Sequence, residues 1–520
     1  MALSRRAFLR TAGVVAAVAA LDGCDATGNG RPGTSSRAAP TSSSPAPATS
    51  ARTSVTSSSR PPAPTSLAQL RARLPGRLLE PADRGYDVAR RSYDPDFDSH
   101  RPIAVAGCAS PADVQACVEF AAASRTPIAA RSGGHSYVGY SAPDRGLVAD
   151  VGPMHEVRVG RDGTAVVGAG ARLIDVYTAL AKAGRCLPAG SCPTVGIAGL
   201  TLGGGIGLLA RAYGLTCDRL VSAQVVTADA TLRTASASSE PELFWALRGG
   251  GGGNLGIVTS FTFSTVPAPA PTVFALDFGS GSVASVLGAW QQWVRDAPGA
   301  LFANCIVTGS TPPSCTVNGC YVGSPSGLNP LLDGLVRQAG TQPGTRSVQQ
   351  LSYLDAMRYF AGCSQLSAAQ CQPAWTGGSN GQLQRETFVA SSRIVEAPMA
   401  DTERVAEAIA GSGVAAIFDS LGGAVARIAP AATAFPHRGA VASVQIYHGG
   451  SGSAVSGDVS SVRDQLGSLL GQHGYVNYLD PTMPHWASAY YGSNLPRLRA
   501  AAGRYDPHAV FSFAQSLTRA

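Results

Sequence analysis

Two glycine-rich segments with one nucleophile each constrain this chain most. One is Arg131-Ser132-Gly133-Gly134-His135-Ser136-Tyr137; the other is Pro188-Ala189-Gly190-Ser191-Cys192-Pro193-Thr194-Val195-Gly196-Ile197-Ala198-Gly199. In each, an imidazole or a thiol sits in a turn whose glycines bring the backbone close to a ligand and leave its amides to hold an anion. The first segment follows a short apolar run over 127–130. It therefore reads as strand, glycine turn, then polar residue, an arrangement that points N–H groups at a phosphate.

With 520 residues, 45% of them hydrophobic, the chain can bury a large core and is expected to form two domains. Abundant glycine and alanine with few aromatics suit an α/β or α+β enzyme. The net charge of +7 is unevenly placed: seven arginines and two aspartates in residues 1–66 account for +5, leaving +2 for the rest. That is no footprint for nucleic acid, which needs a clustered basic face. Lys182 is the only lysine and lies in no phosphate-loop pattern, which excludes Walker-type hydrolysis and argues against Schiff-base chemistry.

Ser4-Arg5-Arg6-Ala7-Phe8-Leu9 resembles a twin-arginine export signal, and the apolar run over 12–21 is too short to span a bilayer. Leu21-Asp22-Gly23-Cys24 resembles a lipoprotein box with an unusual aspartate, so residues 1–24 are expected to direct export. Cys24 is a candidate membrane tether. Residues 25–66, rich in Ser, Thr, Pro and Ala, cannot offset their ordering entropy by burial and read as a disordered tether. Eleven cysteines in an exported chain suggest disulfides: Cys363 with Cys371, and another among Cys305, Cys315 and Cys320.

The folded body is expected from residue 67. Ser110-Pro111-Ala112-Asp113 opens a helix to about Ser124, with a capping serine, a proline at the first position and a carboxylate in the first turn. Strands are expected around 148–151, 165–167, 220–228 and 257–263, with a helix over 173–183. Pro267 to Pro271 marks a boundary. Beyond it, apolar strands (272–278, 442–447) alternate with helices (283–294, 401–410), as in an α+β domain with helices on one face of an antiparallel sheet. From Tyr475 the character changes again, as if the tail returned to the first domain.

These motifs, with Leu243-Phe244-Trp245-Ala246-Leu247-Arg248-Gly249-Gly250, Asn254-Leu255-Gly256-Ile257-Val258-Thr259, Asn477-Tyr478-Leu479-Asp480, Tyr490-Tyr491-Gly492-Ser493-Asn494 and Tyr505-Asp506-Pro507, resemble the berberine bridge enzyme-like branch of the vanillyl-alcohol oxidase superfamily. The resemblance implies an α+β fold. A two-subdomain PCMH-type FAD-binding domain (67–268, its core from about 97) is followed by a substrate domain (269–470) and a tail (471–520) that completes the flavin site. It implies FAD held bicovalently, through His135 to the flavin 8α-methyl carbon and through Cys192 to ring carbon C6. Two such bonds fix the ring and raise its potential. A disulfide between Cys192 and Cys186 is the alternative that would leave a single link.

By the same resemblance, Arg131, Ser132, Gly133, Gly134 and Ser136 surround the pyrophosphate, and Gly196 and Gly199 lie beside the ring. Ile257 and Val258 meet the adenine side, and Asn494 holds either the flavin or the tail. Val195 lies near the oxygen pocket and favours molecular oxygen as acceptor. Tyr478 matches a catalytic base, and since a phenol titrates near ~10 it needs help to act near neutrality. Gln445 and Tyr447, at alternate positions on one strand, are candidate substrate contacts or assisting bases, with core packing equally open for Tyr447. The histidines at 155, 437, 448, 473 and 485 show no metal-ligand spacing, so no metal is expected, and His448 is the one most suited to meet substrate. The implied activity is oxidation of an alcohol, a carbohydrate or bulky natural product, by hydride transfer to flavin N5, with oxygen reduced to hydrogen peroxide. The alternatives are a dehydrogenase serving a quinone or protein acceptor, and a surface binding protein without turnover.

Overall fold

The computed structural model describes residues 62–376 and 380–520. The export signal expected over 1–24, Cys24, and all but the last residues of the tether expected over 25–66 lie outside the described residues. Among those described, no helix is long and apolar enough to cross a membrane.

Strands β1 (Leu78–Leu79), β2 (Ala104–Gly107), β3 (Ile128–Arg131) and β4 (Leu147–Asp150) form a sheet in the order β1-β2-β4-β3, with β4 parallel to β2 and β3. Parallel strands need a crossover, and the helix Pro111–Ser124 supplies the one between β2 and β3. It starts as its sequence dictates: Ser110 Oγ accepts from the Asp113 amide, and the Asp113 carboxylate accepts from the Ser110 amide.

The next sheet is antiparallel, from β5 (Val157–Val159), β6 (Thr164–Gly168), β8 (Leu220–Val226), β9 (Leu232–Ser236) and β10 (Ile257–Ser264) in the order β5-β6-β10-β8-β9. The short β7 (Arg185–Cys186) pairs with β11 (Val266–Pro267) beside it. The helix expected over 173–183 is Leu173–Lys182.

The third sheet has seven antiparallel strands, β12 (Thr272–Ser280), β13 (Leu301–Thr308), β14 (Ser314–Tyr321), β15 (Thr345–Gln350), β16 (Phe388–Val395), β17 (Ala415–Ser420) and β18 (Ala442–Gly449), in the order β15-β12-β14-β13-β17-β18-β16. Side chains alternate between its faces. On one face Leu276, Val307, Val317, Phe418 and Val444 form a core with the helices Val283–Asp296, Pro325–Ala339, Thr402–Ile409 and Ser453–Leu470. Phe302, Asn304, Asp419 and Gln445 occupy the other face and line a cleft.

Tail residues Tyr475, Tyr490, Tyr491, Leu498 and Phe511 enter the same core as the first two sheets. Asn254 Oδ1 accepts from the Leu517 amide at 3.0 Å, and the Tyr491 hydroxyl donates to Gly250 O at 3.1 Å. The returning tail is thus bonded to the glycine turn that precedes β10.

Cys363 and Cys371 form the expected disulfide. The second one expected among Cys305, Cys315 and Cys320 is absent, and all three are buried thiols. Strand register explains this. Cys305 lies opposite Val317 and Cys315 opposite Val307, a diagonal placement, while Cys320 opposes Phe302 and enters the other core. Cys186 is also a buried thiol, on β7, so Cys192 has no disulfide partner there.

Buried arginines join the parts. Arg211 Nε donates to Leu301 O at 2.5 Å and its Nη2 to Ala297 O at 3.1 Å, and burial pushes its pKa down to about 10. Arg438, in the loop before β18, makes two 2.7 Å bonds to Asp218, in the turn before β8, with both side chains at most 3% exposed. Removing one partner of such a pair leaves an uncompensated buried charge. Arg438→Met is therefore expected to lower unfolding free energy by about 3–5 kcal/mol, measured by denaturant unfolding. Wild-type stability in that variant would refute the role of the pair.

Candidate active site between two glycine turns

The two glycine turns recognised in the sequence are interlocked. A Cβ on Gly133 would lie 2.3 Å from the Gly196 nitrogen and 2.8 Å from Thr194 O; one on Gly196 would lie 2.1 Å from Ser132 Oγ and 2.3 Å from the Gly133 nitrogen. No side chain fits at either position, so backbone passes directly against backbone. Each turn is also pinned from outside. Ser132 Oγ donates to Ala169 O at 2.6 Å. The carbonyls of Pro193 and Val195 accept from the amides of Ile174 and Leu173, the otherwise unpaired first donors of the helix Leu173–Lys182.

This contact brings His135 and Cys192 to one wall of one cleft. Thr194 Oγ1 stands 2.8 Å from His135 Nε2 and 3.7 Å from Cys192 Sγ, bridging the two nucleophiles. The His135 ring stacks on Tyr93 with centroids 4.0 Å apart. The cleft is open to solvent. Opposite the nucleophiles lie β13, β17 and β18, with Asn304, Asp419 and Gln445, and Tyr478 enters from the tail.

Tyr478 is held by its neighbours. Its ring stacks on Tyr137 (5.4 Å, 8° between planes) and meets the edge of Tyr475 at 5.0 Å. Gln445 Nε2 donates to the Tyr137 hydroxyl at 2.6 Å, linking the sheet to this stack. Tyr475 in turn accepts from the Gly205 amide and from Asn477 Nδ2, both at 2.9 Å, and burial pushes its phenol well above the ordinary range. Tyr475 is thus an anchor for the tail. Among the lining residues Asp419 is the one carboxylate, and there is no lysine or arginine.

Residues 102–236 match the family model of the FAD binding domain, and residues 474–518 match that of berberine and berberine like proteins. The chain is 32% identical to the FAD-linked oxidoreductase YgaK of Bacillus subtilis over 86% of its own length and 98% of that protein's. It is also 32% identical to the xylooligosaccharide oxidase of Thermothelomyces thermophilus, over 81% of this chain and 88% of that one. Among solved structures, BBE-like 1 of Physcomitrella patens superposes with a TM-score of 0.80 at 31% identity, covering 88% of this chain and all of that one. The chain belongs to the berberine bridge enzyme-like FAD-linked oxidoreductases. It is an oxidoreductase, and FAD is its cofactor.

The berberine bridge enzyme-like site fits that group. Among the described residues, the amides of Gly133 and Gly134 meet no acceptor, which leaves them for an anion such as the pyrophosphate. Gly199 has no heavy atom within 4 Å of where a Cβ would stand, and the nearest atom to a Cβ on Gly252, facing it, is Gly199 Cα at 3.9 Å. The two glycines thus lie against each other, and the space over Gly199 stays open.

Other sequence candidates are placed differently. The Arg131 guanidinium is committed to Asp150 at 2.6 Å and to the carbonyls of Ala89 and Arg91, so it braces the loop before the turn and is not turned to a phosphate. Ser136 Oγ accepts from the Tyr140 amide at 3.1 Å. Val195 is half-buried in the cleft wall. The side chains of Ile257 and Val258 are buried in the first core, and their backbones pair with Val226 and Val225. Asn494 Nδ2 donates to the carbonyls of Pro430 and Thr433 at 2.9 and 3.1 Å; it fastens a loop to the tail.

Of the two β18 candidates, Gln445 lines the cleft, whereas Tyr447 is buried against Phe388 (5.1 Å) in a cluster with Tyr93. His448 lies outside the lining residues, its Nδ1 2.9 Å from Gly449 O. His437 and His473 converge with Glu396, their ligating atoms within 4.8 Å of one another, a grouping that chain spacing could not show. His473 Nδ1 is 2.6 Å from Glu396 Oε1, and burial with the neighbouring His473 pushes the His437 pKa down to about 3, so its ring is neutral. Asp419, Thr194 and Tyr93 were missed in the sequence. Only strand alternation could have drawn attention to Asp419, and Thr194 lay unremarked inside the Cys192 turn.

Gly196→Ala places a methyl group inside the contact between the turns. Overpacking there is expected to cost about 1–3 kcal/mol and to lower the flavin-to-protein ratio of the purified enzyme, read from its visible spectrum. A stable variant with full flavin content would show that the turns need not touch.

Proposed function

We propose that this enzyme oxidises an alcohol carbon of a carbohydrate, with flavin held covalently by both His135 and Cys192 and with molecular oxygen as acceptor, giving hydrogen peroxide. The observation that carries the reading is the shared cleft: a bridged imidazole and thiol on one wall, and a tyrosine, a carboxylate and amides on the other. Bound flavin supplies a two-electron acceptor for hydride. The chain supplies the rest.

Tyr478 takes the substrate hydroxyl proton as the carbon loses hydride, which leaves a carbonyl. An unperturbed phenol is a poor base near neutrality, so the proton has to pass onward. Asp419, the one carboxylate lining the cleft, is the acceptor in this reading. The Gln445–Tyr137 bond keeps the Tyr478 ring in register with the sheet. Apolar walls from Leu208, Ile306 and Ile417 exclude water from the reacting carbon. A sugar substrate is in keeping with the xylooligosaccharide oxidase to which the chain is similar.

Tyr478→Phe removes the base without changing ring packing. It is expected to lower kcat by about 10²–10⁴-fold, followed by peroxide release from a sugar panel, with the flavin spectrum retained. Wild-type turnover in this variant would remove Tyr478 from the mechanism, and reduction of an added quinone with no peroxide formed would overturn oxygen as acceptor.

A further inference from the structure

We propose that Glu396, His437 and His473 form a binding site for one late first-row divalent metal ion, zinc being the type case, outside the active-site cleft. The site stands apart from the carbohydrate reading and from covalent flavin, since none of the three residues lines the cleft.

Three separate segments supply the ligands, which is why spacing along the chain gave no sign of them. Glu396 directly follows β16, His437 lies in the loop between β17 and β18, and His473 opens the tail that carries Tyr478. Backbone hydrogen bonds hold these segments together before any ion arrives: the Ile394 amide donates to His473 O at 2.9 Å, and the Gly474 amide to Ala489 O at 3.0 Å. One ligating atom from each of the three residues lies within 4.8 Å of the other two. Ligands bound at ~2.1 Å to one tetrahedral zinc stand ~3.4 Å apart, so side-chain movements of about 1 Å close the set.

Exposure divides the three into one fixed member and two mobile ones. His437 is 6% exposed, and its Nε2 stands 3.2 Å from Tyr490 O. A carbonyl only accepts, so this contact sets the tautomer and fixes the ring, as the outer hydrogen bond of a metal-ligating histidine ordinarily does. The side chains of Glu396 and His473 are 50% and 34% exposed, so an ion enters from solvent and keeps water in a fourth position. His473 Nδ1 lies 2.6 Å from Glu396 Oε1 yet has no hydrogen-bond partner: the two atoms converge without the alignment that an N–H···O bond requires. Glu396, against this nitrogen and half exposed, is the side chain that moves to admit the ion. Two imidazoles with one carboxylate suit zinc and its neighbours, whereas magnesium and calcium take oxygen ligands. Bound there, the ion ties the start of the tail to the seven-stranded sheet.

The test uses the full-length, flavin-loaded enzyme, stripped with a chelator and desalted, then titrated with zinc chloride and separately with magnesium chloride. Binding is read by calorimetry and by elemental analysis after gel filtration, and stability by the midpoint of thermal unfolding. The expected result is one zinc per chain, no magnesium, and a midpoint raised by zinc because the ion binds the folded chain in preference to the unfolded one. Glu396→Gln and His473→Ala should each weaken that binding at least about 100-fold, beyond what loss of an outer partner costs, and abolish the rise in the midpoint. His437→Ala should do the same; if its buried position prevents folding, the two half-exposed variants decide alone. His155→Ala, at an exposed histidine elsewhere, should bind zinc as the wild type does. A wild type that retains no zinc, or wild-type affinity and stoichiometry in either Glu396→Gln or His473→Ala, would overturn the site.

Discussion

The contact on which the site depends is between two stretches of backbone, Gly133 against Gly196. One turn follows the parallel strand β3; the other is strapped by its carbonyls to the first amides of the helix Leu173–Lys182. Neither turn specifies a cleft alone. Their meeting sets His135, Thr194 and Cys192 in a row, and the absence of a Cβ at both glycines lets the row close up. In this arrangement a thiol and an imidazole from distant parts of the chain can address one planar ligand.

The second wall is built by different physics. Alternation along β13, β17 and β18 sends apolar side chains to the helix-covered face and leaves Asn304, Asp419 and Gln445 on the cleft face. The tail then closes the site. Tyr475 ties it to the Gly205 turn, and Tyr478, three residues on, stacks against Tyr137 of the His135 segment. Buried ion pairs such as Arg438 with Asp218 and Arg463 with Asp480 keep these parts from sliding. They fix geometry more than they add stability, because each charge carries a desolvation cost.

Much of this was legible in the sequence. The helix at Ser110 announced itself by its cap, the glycine turns by their composition, and the tail by its change of character. What was not legible had physical reasons. Arg131 sits beside a phosphate-type turn, yet its buried guanidinium pairs with the half-buried Asp150 at the end of β4, and sequence adjacency does not say where a long side chain turns. Tyr447 and Gln445 share a face and are both buried, but Tyr447 packs against Phe388 and only Gln445 reaches the cleft. Nothing in the sequence marks Asp419; strand register places it opposite Asn304. Asn494 occupies a recognisable motif, yet its amide is consumed by loop carbonyls. Motifs locate backbone well; they say less about side-chain commitments.

The most direct measurement is acid precipitation of the purified enzyme, followed by a visible spectrum and a peptide map of the pellet. The expected result is a yellow pellet in which flavin joins the peptide containing His135 to the one containing Cys192. Flavin on the His135 peptide alone would contradict the role given to Cys192, and a colourless pellet beneath a yellow supernatant would contradict covalent attachment altogether.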